Sequence, residues 1–283
     1  MASILYERIR AYRQDTFNLQ PGKRLRSADE AVCFANQRGF LFFWPIKGML
    51  LPSLWAAVAG DRPVPDQHDD PGHVTWDWKD SLLGQRRWYY AKVLRKKATI
   101  ISLERAPFFY ALSRNYGAPD EDYLTLYEQG LLTQEAKTVY ETILREGPLD
   151  TVALRRATRM TSRESDARFN RALADLQADF KLLPIGIAKA GAWNYAFFYE
   201  ITARHFPDLP EAAHLISERE ARSTLLENYL RSVGAAQAGD IQRLFGWGKD
   251  QSGSAIESLV SAGKIWDEVE GQVGAWLVLR ELV

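Results

Sequence analysis

The fold is decided by one stretch of the sequence, residues 133–148, which runs TQEAKTVYETILREGP. Its apolar side chains recur at intervals of three and four residues, and this spacing predicts an amphipathic helix with one buried face. The dipeptide Gly147-Pro148 is predicted to end the helix, because glycine favours the position after a helix and proline cannot continue one. The apolar positions are Ala136, Val139, Tyr140, Ile143 and Leu144.

Two further helices and a hairpin are predicted to follow this helix. Asp150 is a suitable N-cap for a short second helix. The segment 161–164, TSRE, has the form of a capping box with Thr161 as N-cap, and it predicts the start of a third helix. The apolar runs 182–187 and 194–201 are joined by a glycine-containing turn, and together they predict a β-hairpin.

The same order recurs near the end of the chain. Residues 217–220, SERE, form another capping box before a helical apolar stripe that Gly234 ends. Two shorter helical patterns follow, and then strand-like runs at 264–269 and 275–279. A helix–helix–helix–hairpin unit repeated in tandem is typical of winged-helix proteins. The predicted fold class is therefore α+β, mainly α, with tandem winged-helix modules.

The first third of the chain is predicted to hold a diverged third copy. The segment 27–30, SADE, is a capping box that opens a helix, and the apolar run Phe40–Trp44 follows it as a strand. Residues 82–95 are predicted to form a helix, 98–103 a strand and 105–113 a helix. Proline and aspartate residues make 60–80 an expected acidic loop. The predicted domains are 1–131, 132–210 and 211–283.

Composition and charge exclude several classes of protein. Lys+Arg and Asp+Glu each number 36, so the net charge is zero and any nucleic-acid binding must come from a local patch. The single cysteine, Cys33, excludes a disulfide within the chain and favours a reducing cytoplasm. We expect Cys33 to be buried and to pack as a small apolar side chain. The first twenty residues lack the apolar core of a signal peptide. Prolines and a lysine interrupt the most apolar stretch, 40–59, which argues against a membrane span.

The third helix of the central unit is the first candidate DNA-binding surface. Its predicted outward face carries Arg163, Asn170 and Arg171, whose side-chain types pair with guanine and adenine edges in the major groove. The alanines between these residues are small and would allow the helix to approach the DNA groove closely. The alternative is an ordinary solvated helix face, since carboxylates dilute the charge. Three arginines just before the helix are candidate phosphate contacts: Arg155, Arg156 and Arg159.

The second candidate surface is the most basic segment of the chain, between residues 86 and 105. Aromatic residues 88–90 are interleaved with its cations, a combination suited to backbone contact and base stacking. The alternative is a helix with core aromatics and solvated cations. The last unit is acidic and has no arginine on the equivalent helix face, which favours a structural or interaction role. The basic candidates are Arg86, Arg87, Lys92, Arg95, Lys96 and Lys97.

Other conspicuous residues carry weaker functional interpretations. The run Phe40–Trp44 can stack an extruded base, although a core role is favoured at this density. Trp193 near the wing tip is a candidate DNA contact through stacking or the minor groove, although packing under the wing is favoured. His68 and His73 beside Asp69-Asp70 have the residue types of a metal site, but a solvated loop is favoured. No standard catalytic motif is present.

The sequence resembles the winged-helix DNA glycosylases of the AlkZ and YcaQ family. The resemblance covers most of the chain, most clearly the Gly39-Phe40-Leu41 turn, the run 88–112 with Glu104-Arg105-Ala106-Pro107, and the tandem units from Leu132 and Ala221. It implies tandem winged helices around a DNA-binding concavity and metal-free excision of alkylated or crosslinked bases. It also implies a Gln-x-Gln or Gln-x-Asp motif after the turn, which activates water.

The residues in register with that motif depart from it. They are Phe42-Phe43-Trp44, and none can accept a proton or orient water. Our leading hypothesis is a cytoplasmic, nucleoid-associated DNA-binding protein without cofactor or metal, related to alkylation-repair glycosylases but non-catalytic or altered in chemistry. One alternative is an active glycosylase using replacement carboxylates, Glu104 or Asp69-Asp70. The other is a winged-helix interaction module with a protein partner on its acidic last unit.

Overall fold

The computed structural model describes residues 2–67, 69–191, 193–270 and 275–283. Its central unit follows the predicted order of three helices and a hairpin, with one added short strand. Asp150 caps the second helix by accepting the N–H groups of Val152 and Ala153. The elements, with η marking a 3₁₀-helix, are α7 (Gln134–Glu146), β4 (Leu149–Asp150), α8 (Thr151–Ala157), η4 (Arg163–Ser165), α9 (Asp166–Ala178), β5 (Leu182–Ala188) and β6 (Ala196–Ile201).

The last part of the chain repeats this order. Ser217 caps its first helix by accepting the N–H of Glu220, and Gly234 ends that helix with the left-handed φ of 76° that glycine tolerates. The elements are α12 (Glu218–Val233), β7 (Ala235–Ala236), α13 (Ala238–Phe245), α14 (Lys249–Ser261), β8 (Ile265–Glu270) and β9 (Ala275–Leu279).

The first third contains the same sequence of elements, with longer connections. Ser27 caps its first helix through the N–H of Glu30. The elements are α2 (Ala28–Arg38), β1 (Phe40–Phe42), α3 (Leu54–Ala59), η2 (Pro71–His73), α4 (Val74–Leu82), β2 (Tyr89–Ala91), η3 (Leu94–Lys96) and β3 (Thr99–Ile101).

Three sheets with one strand order relate the three units. Their orders are β1-β3-β2, β4-β6-β5 and β7-β9-β8, all antiparallel, so each hairpin pairs with the short strand that follows the unit's first helix. The predicted α+β, mainly α fold class is confirmed. The domain boundaries stay a prediction, and the one between residues 210 and 211 falls within α11. The linking elements are α1 (Ala2–Thr16), η1 (Pro21–Lys23), α5 (Ala106–Tyr110), α6 (Asp122–Glu128), α10 (Thr202–His205), α11 (Leu209–His214) and η5 (Arg280–Leu282).

The helix predicted for residues 82–95 is wrong. The segment contains the end of α4, then β2 and η3. Tyr89 faces the core shared by all three units, while Tyr90 faces the core of the first unit, the alternation expected of a strand. The strand forms because β3 supplies its hydrogen bonds, a long-range pairing that a local pattern does not reveal.

Three further local predictions need correction. The second half of the expected loop 60–80 is helical, because Asp70 caps η2 through the N–H of Gly72 and α4 continues from it. Thr161 is not an N-cap: η4 begins after Ser162, and α9 begins at Asp166. Cys33 is exposed, since the buried face of α2 carries its neighbours on either side.

One apolar core joins the three units. Phe40 and Tyr89 of the first unit pack with Phe180 of the central unit and Leu225 of the last. Smaller clusters lie within the first and central units. The shared core fixes the surface elements of one unit against those of the next. In the part of the chain that the structure describes, no helix is long and apolar enough to cross a bilayer.

Candidate nucleic-acid interface

The outward face of α9 is exposed as the sequence predicts. Arg163, Asn170 and Arg171 all lie on the surface, and so do Arg156 and Arg159 beside the start of the helix. None of these four arginines has an ion pair within the described residues, so their charges are available to a polyanion.

Arg155 is engaged differently. Its guanidinium forms an ion pair with Asp166, approaches Asn170 Oδ1 at 3.4 Å and lies 4.3 Å from the Phe169 ring centroid. These contacts hold α8 against α9. Arg155 therefore contributes to the geometry of the helix pair, and its predicted phosphate contact would require competition with Asp166.

The tip of the β2–β3 hairpin lies on the C-terminal half of α9. The backbone N–H of Lys92 donates to Gln177 Oε1 at 3.1 Å, and Lys96 forms an ion pair with Asp175. Asp175 lies one helical turn after Arg171, so Lys96 lies beside the exposed face of α9. We call this combined surface the basic face: Arg156, Arg159, Arg163, Arg171, Lys92, Arg95, Lys96 and Lys97.

The other two cations of the segment lie elsewhere. Arg87 forms an ion pair with Asp29 at the start of α2, with a distance of 3.0 Å. Arg86 lies near His205, where burial and then the charge of Arg86 lower the pKa of the histidine. Both arginines precede β2, whereas Lys92 follows it. The structure therefore divides the cluster predicted from the sequence into two groups.

The β5–β6 hairpin corresponds to the wing that the sequence predicts for the central unit, and Trp193 in its connection lies in solvent. Trp193 is 89% exposed, whereas packing under the wing was the favoured interpretation. Tyr195, two residues along, is held by the first unit, since its hydroxyl donates to Asp80 Oδ1 at 2.9 Å. The wing is thus docked on α4 while Trp193 remains available for contact.

A buried lysine behind this wing was not anticipated from the sequence. Lys79 Nζ lies 2.6 Å from Asp80 Oδ1 and 2.7 Å from Tyr195 Oη, and the side chain is 1% exposed. Burial lowers the pKa of Lys79, although Asp80 opposes this. The only hint of this burial in the sequence is that Lys79 lies three residues after Trp76, so both side chains lie on the same face of α4. Five ring centroids lie within 6 Å of Nζ: those of Phe43, Trp76, Tyr90, Tyr195 and Phe197.

The two positions that the sequence analysis places in register with the family's catalytic motif, 42 and 44, hold side chains that pack against other residues. Phe42 is 0% exposed and belongs to the core that joins the three units. Trp44 is half-buried, with its ring centroid 5.9 Å from those of His73 and Trp76. Neither side chain has an acceptor for a proton, so the chemistry expected from the family has no group at these positions.

The carboxylates considered as replacements are engaged or remote. Asp70 accepts two hydrogen bonds from Arg62 and one from the N–H of Gly72, and these bonds lower its pKa and keep it ionised. Glu104 is largely exposed beside Arg105. Asp69 is exposed, and His68 lies outside the described residues. Among those that are described, no cluster of His, Cys, Asp or Glu could hold a metal ion.

Comparison with known proteins defines the class of this chain. The described residues form three units of helices and an antiparallel hairpin on one shared core, an α+β, mainly α fold. The chain belongs to the AlkZ-related family, whose model matches residues 25–246. The resemblance noted in the sequence is thereby confirmed.

A solved structure has a similar fold. The chain resembles the DNA glycosylase AlkZ of Streptomyces sahachiroi with a TM-score of 0.59 and 14% sequence identity, over 98% of this chain and 70% of that one. At this identity the likeness shows a shared fold. A search of curated proteins finds no match.

Proposed function

We propose that this protein binds duplex or distorted DNA through the basic face and Trp193. The observation that carries the proposal is the packing of the β2–β3 hairpin on α9, which joins cations from two units into one surface. The family relationship supports DNA as the partner, because the structural neighbour is a DNA glycosylase. The protein would act in the cytoplasm, at the nucleoid.

The dimensions of the basic face suit a duplex. The thirteen residues of α9 span about 20 Å, enough to enter a major groove while the cations at its two ends reach the flanking backbone. A zero net charge makes a local surface of this kind the main electrostatic attraction for DNA. Arg86 and Arg87 lie on another part of the surface, and their assignment as DNA contacts is the weakest of the set.

Salt dependence tests the proposed interface. Fluorescence anisotropy with a labelled duplex should give affinities that fall as salt rises, with a slope of about −0.9 per phosphate contact. Arg171→Ala and Lys97→Ala should each weaken binding and reduce the slope by about one unit. Arg145→Ala, which removes an exposed arginine paired with Glu146 on α7, is the matched control and should change neither. No binding at low salt, or slopes unchanged in the two test variants, would overturn the proposal.

We also propose that the chain does not excise bases through the family motif. Incubation with N7-alkylated DNA should leave no alkali-labile abasic sites beyond those in a protein-free control. Partly depurinated DNA serves as the positive control for detection. Base release would instead support the alternative, an active glycosylase using other residues. A stable protein partner with no DNA affinity would support the interaction-module alternative.

A further inference from the structure

A cavity of about 260 Å³ lies where the three units meet. Its walls come from the β2–β3 hairpin tip, the end of α9, the first turns of α12, and the connection between α13 and α14. None of its lining residues occupies positions 42 or 44, so it is distinct from the motif positions discussed above. The lining residues that matter here are Arg95, Asp179, Arg222, Phe245, Trp247 and Gln251.

The polar wall of this cavity is rich in hydrogen-bond donors. Arg222 pairs with Glu218 through Nη2 at 2.8 Å, while its Nε is buried without a partner in the described structure. Gln251 accepts the N–H of Gly248 with Oε1, which leaves its NH₂ group for another partner. Among the described lining residues, Asp179 is the one carboxylate; burial raises its pKa, and the N–H of Arg114 donates to its Oδ1. The guanidinium groups of Arg95 and Arg222 line the cavity, and such donors suit an anionic, acceptor-rich ligand.

The opposite wall is aromatic. Phe245 and Trp247 stack with their ring centroids 4.2 Å apart and their planes 11° from parallel. Both rings are half-buried and both line the cavity. A stacked aromatic pair next to guanidinium groups is a combination that binds a planar base and an attached phosphate.

Arg95 is brought to this cavity by strained backbone. Its φ is 53°, and that of Lys96 is 57°, so two successive side chains occupy the left-handed region that favours glycine. The Arg95 Nη1 atom lies 3.3 Å from where a Cβ on Gly246 would stand, and Gly246 itself has a φ of 74°. Such strain persists only where surrounding contacts impose it, and it is concentrated at binding sites.

We propose that the cavity binds one nucleotide, with its base against the Phe245–Trp247 stack and its phosphate near Arg95 and Arg222. The volume lies just below the usual range of about 300–1,000 Å³ for small-molecule sites, which suits a single planar ring system. The nucleotide can be an unpaired residue of a DNA strand or a free mononucleotide. The first source rests on the proposed DNA binding, because Arg95 also belongs to the basic face; the second does not.

Binding to the full chain distinguishes the two sources. Titration with nucleoside monophosphates, followed by tryptophan fluorescence and calorimetry, tests the free ligand, and inorganic phosphate tests whether the anion alone suffices. Anisotropy compares a perfect duplex with the same duplex carrying one bulged nucleotide. We expect saturable binding of a mononucleotide, or tighter binding of the bulged duplex, and no binding of phosphate at equal concentration.

Two variants separate the site from the stability of the fold. Arg95→Gly removes the guanidinium and also relieves the left-handed strain, so it should keep or raise the melting temperature while weakening nucleotide binding about tenfold or more. Trp247→Leu should weaken nucleotide binding, because the base loses its stacking partner. Arg219→Ala, an exposed arginine three residues before Arg222, is the matched control and should bind normally.

The outcomes are distinct from those of the DNA-binding test. Equal affinity for perfect and bulged duplexes, together with no saturable mononucleotide binding, overturns the nucleotide site while leaving DNA binding intact. Phosphate binding as tight as that of the nucleotide overturns the assignment of the aromatic wall. Normal nucleotide binding by a folded Arg95→Gly variant overturns the role of Arg95.

Discussion

Phe42, which the sequence analysis places in register with the family's catalytic motif, is completely buried. The side chain belongs to the core that joins the three units. A polar group at this position would lose its hydrogen bonds to water without gaining a partner. Position 42 therefore serves the stability of the fold.

We expect Phe42→Gln to lower the free energy of unfolding by at least about 3 kcal/mol, through lost apolar packing and a buried amide. Urea denaturation followed by circular dichroism measures the change. Tyr116→Gln alters an exposed aromatic residue and should change stability by less than about 0.5 kcal/mol. Equal stability of the Phe42→Gln variant and the parent would show that position 42 has room for a hydrated side chain.

Lys79 is the second residue with a role that depends on burial. Its charge is surrounded by aromatic rings and one carboxylate, and it links α4 to the central wing through Tyr195. Loss of hydration makes the protonated form less favourable in the folded protein than in the unfolded chain. The pH dependence of stability follows from this difference.

The pKa of Lys79 is lowered from an ordinary value of 10.5, so the unfolded chain holds more protons between the two values. The contribution of Lys79 to the free energy of unfolding should therefore become more favourable as pH rises through that window, and should be constant below it. The difference between the parent and Lys79→Met, measured by urea denaturation from neutral pH upward, should show this rise. Lys47→Met, at an exposed lysine, should show none. If the free energies of unfolding of the parent and Lys79→Met changed in parallel with pH, the predicted role of Lys79 would be wrong.

At the scale of elements, local sequence predicts helices better than it predicts strands. The helices α7 and α12 follow from apolar periodicity and from caps such as Ser217. The strand β2 could not be predicted in the same way, because its stability comes from pairing with β3. A capping box also needs the correct backbone around it, and TSRE at 161–164 lacks it.

The two predicted caps of the central unit should respond differently to alanine. Asp150→Ala removes the acceptor for two N–H groups at the start of α8 and should cost about 1 kcal/mol. Thr161→Ala removes an exposed side chain with no cap bond and should cost less than about 0.5 kcal/mol. Thermal denaturation of both variants measures the contrast, and a larger loss for Thr161→Ala would contradict the described start of α9.

At the scale of the whole molecule, α1 connects distant parts of the chain. Arg13 donates from Nε to the carbonyl of Val233 and from Nη2 to that of Ala235, both at 2.8 Å. These carbonyls lie at and just after the end of α12, where a helix leaves its last acceptors without intrahelical partners. The N-terminal helix therefore stabilises the last unit through polar contacts as well as packing.

Arg13→Met should lower the free energy of unfolding by about 2 kcal/mol, because two carbonyls lose a charged donor. Arg10→Met, on the exposed side of the same helix, is the matched control and should have little effect. Urea denaturation compares them. If both variants lost a similar amount of stability, the loss would come from removing a positive charge from α1, and the two hydrogen bonds of Arg13 would not account for it.

The amino-acid sequence predicted the repeated helix-and-hairpin order and the exposed arginines of α9, and it revealed the family resemblance. It did so because helix periodicity, caps and turns act over a few neighbouring residues. Only the tertiary structure decided which cations share a surface, separating Arg87 from Lys96, and which side chains are enclosed, such as Lys79. The physical reason is that burial and strand pairing depend on contacts between residues far apart in the chain, whose positions no local pattern specifies.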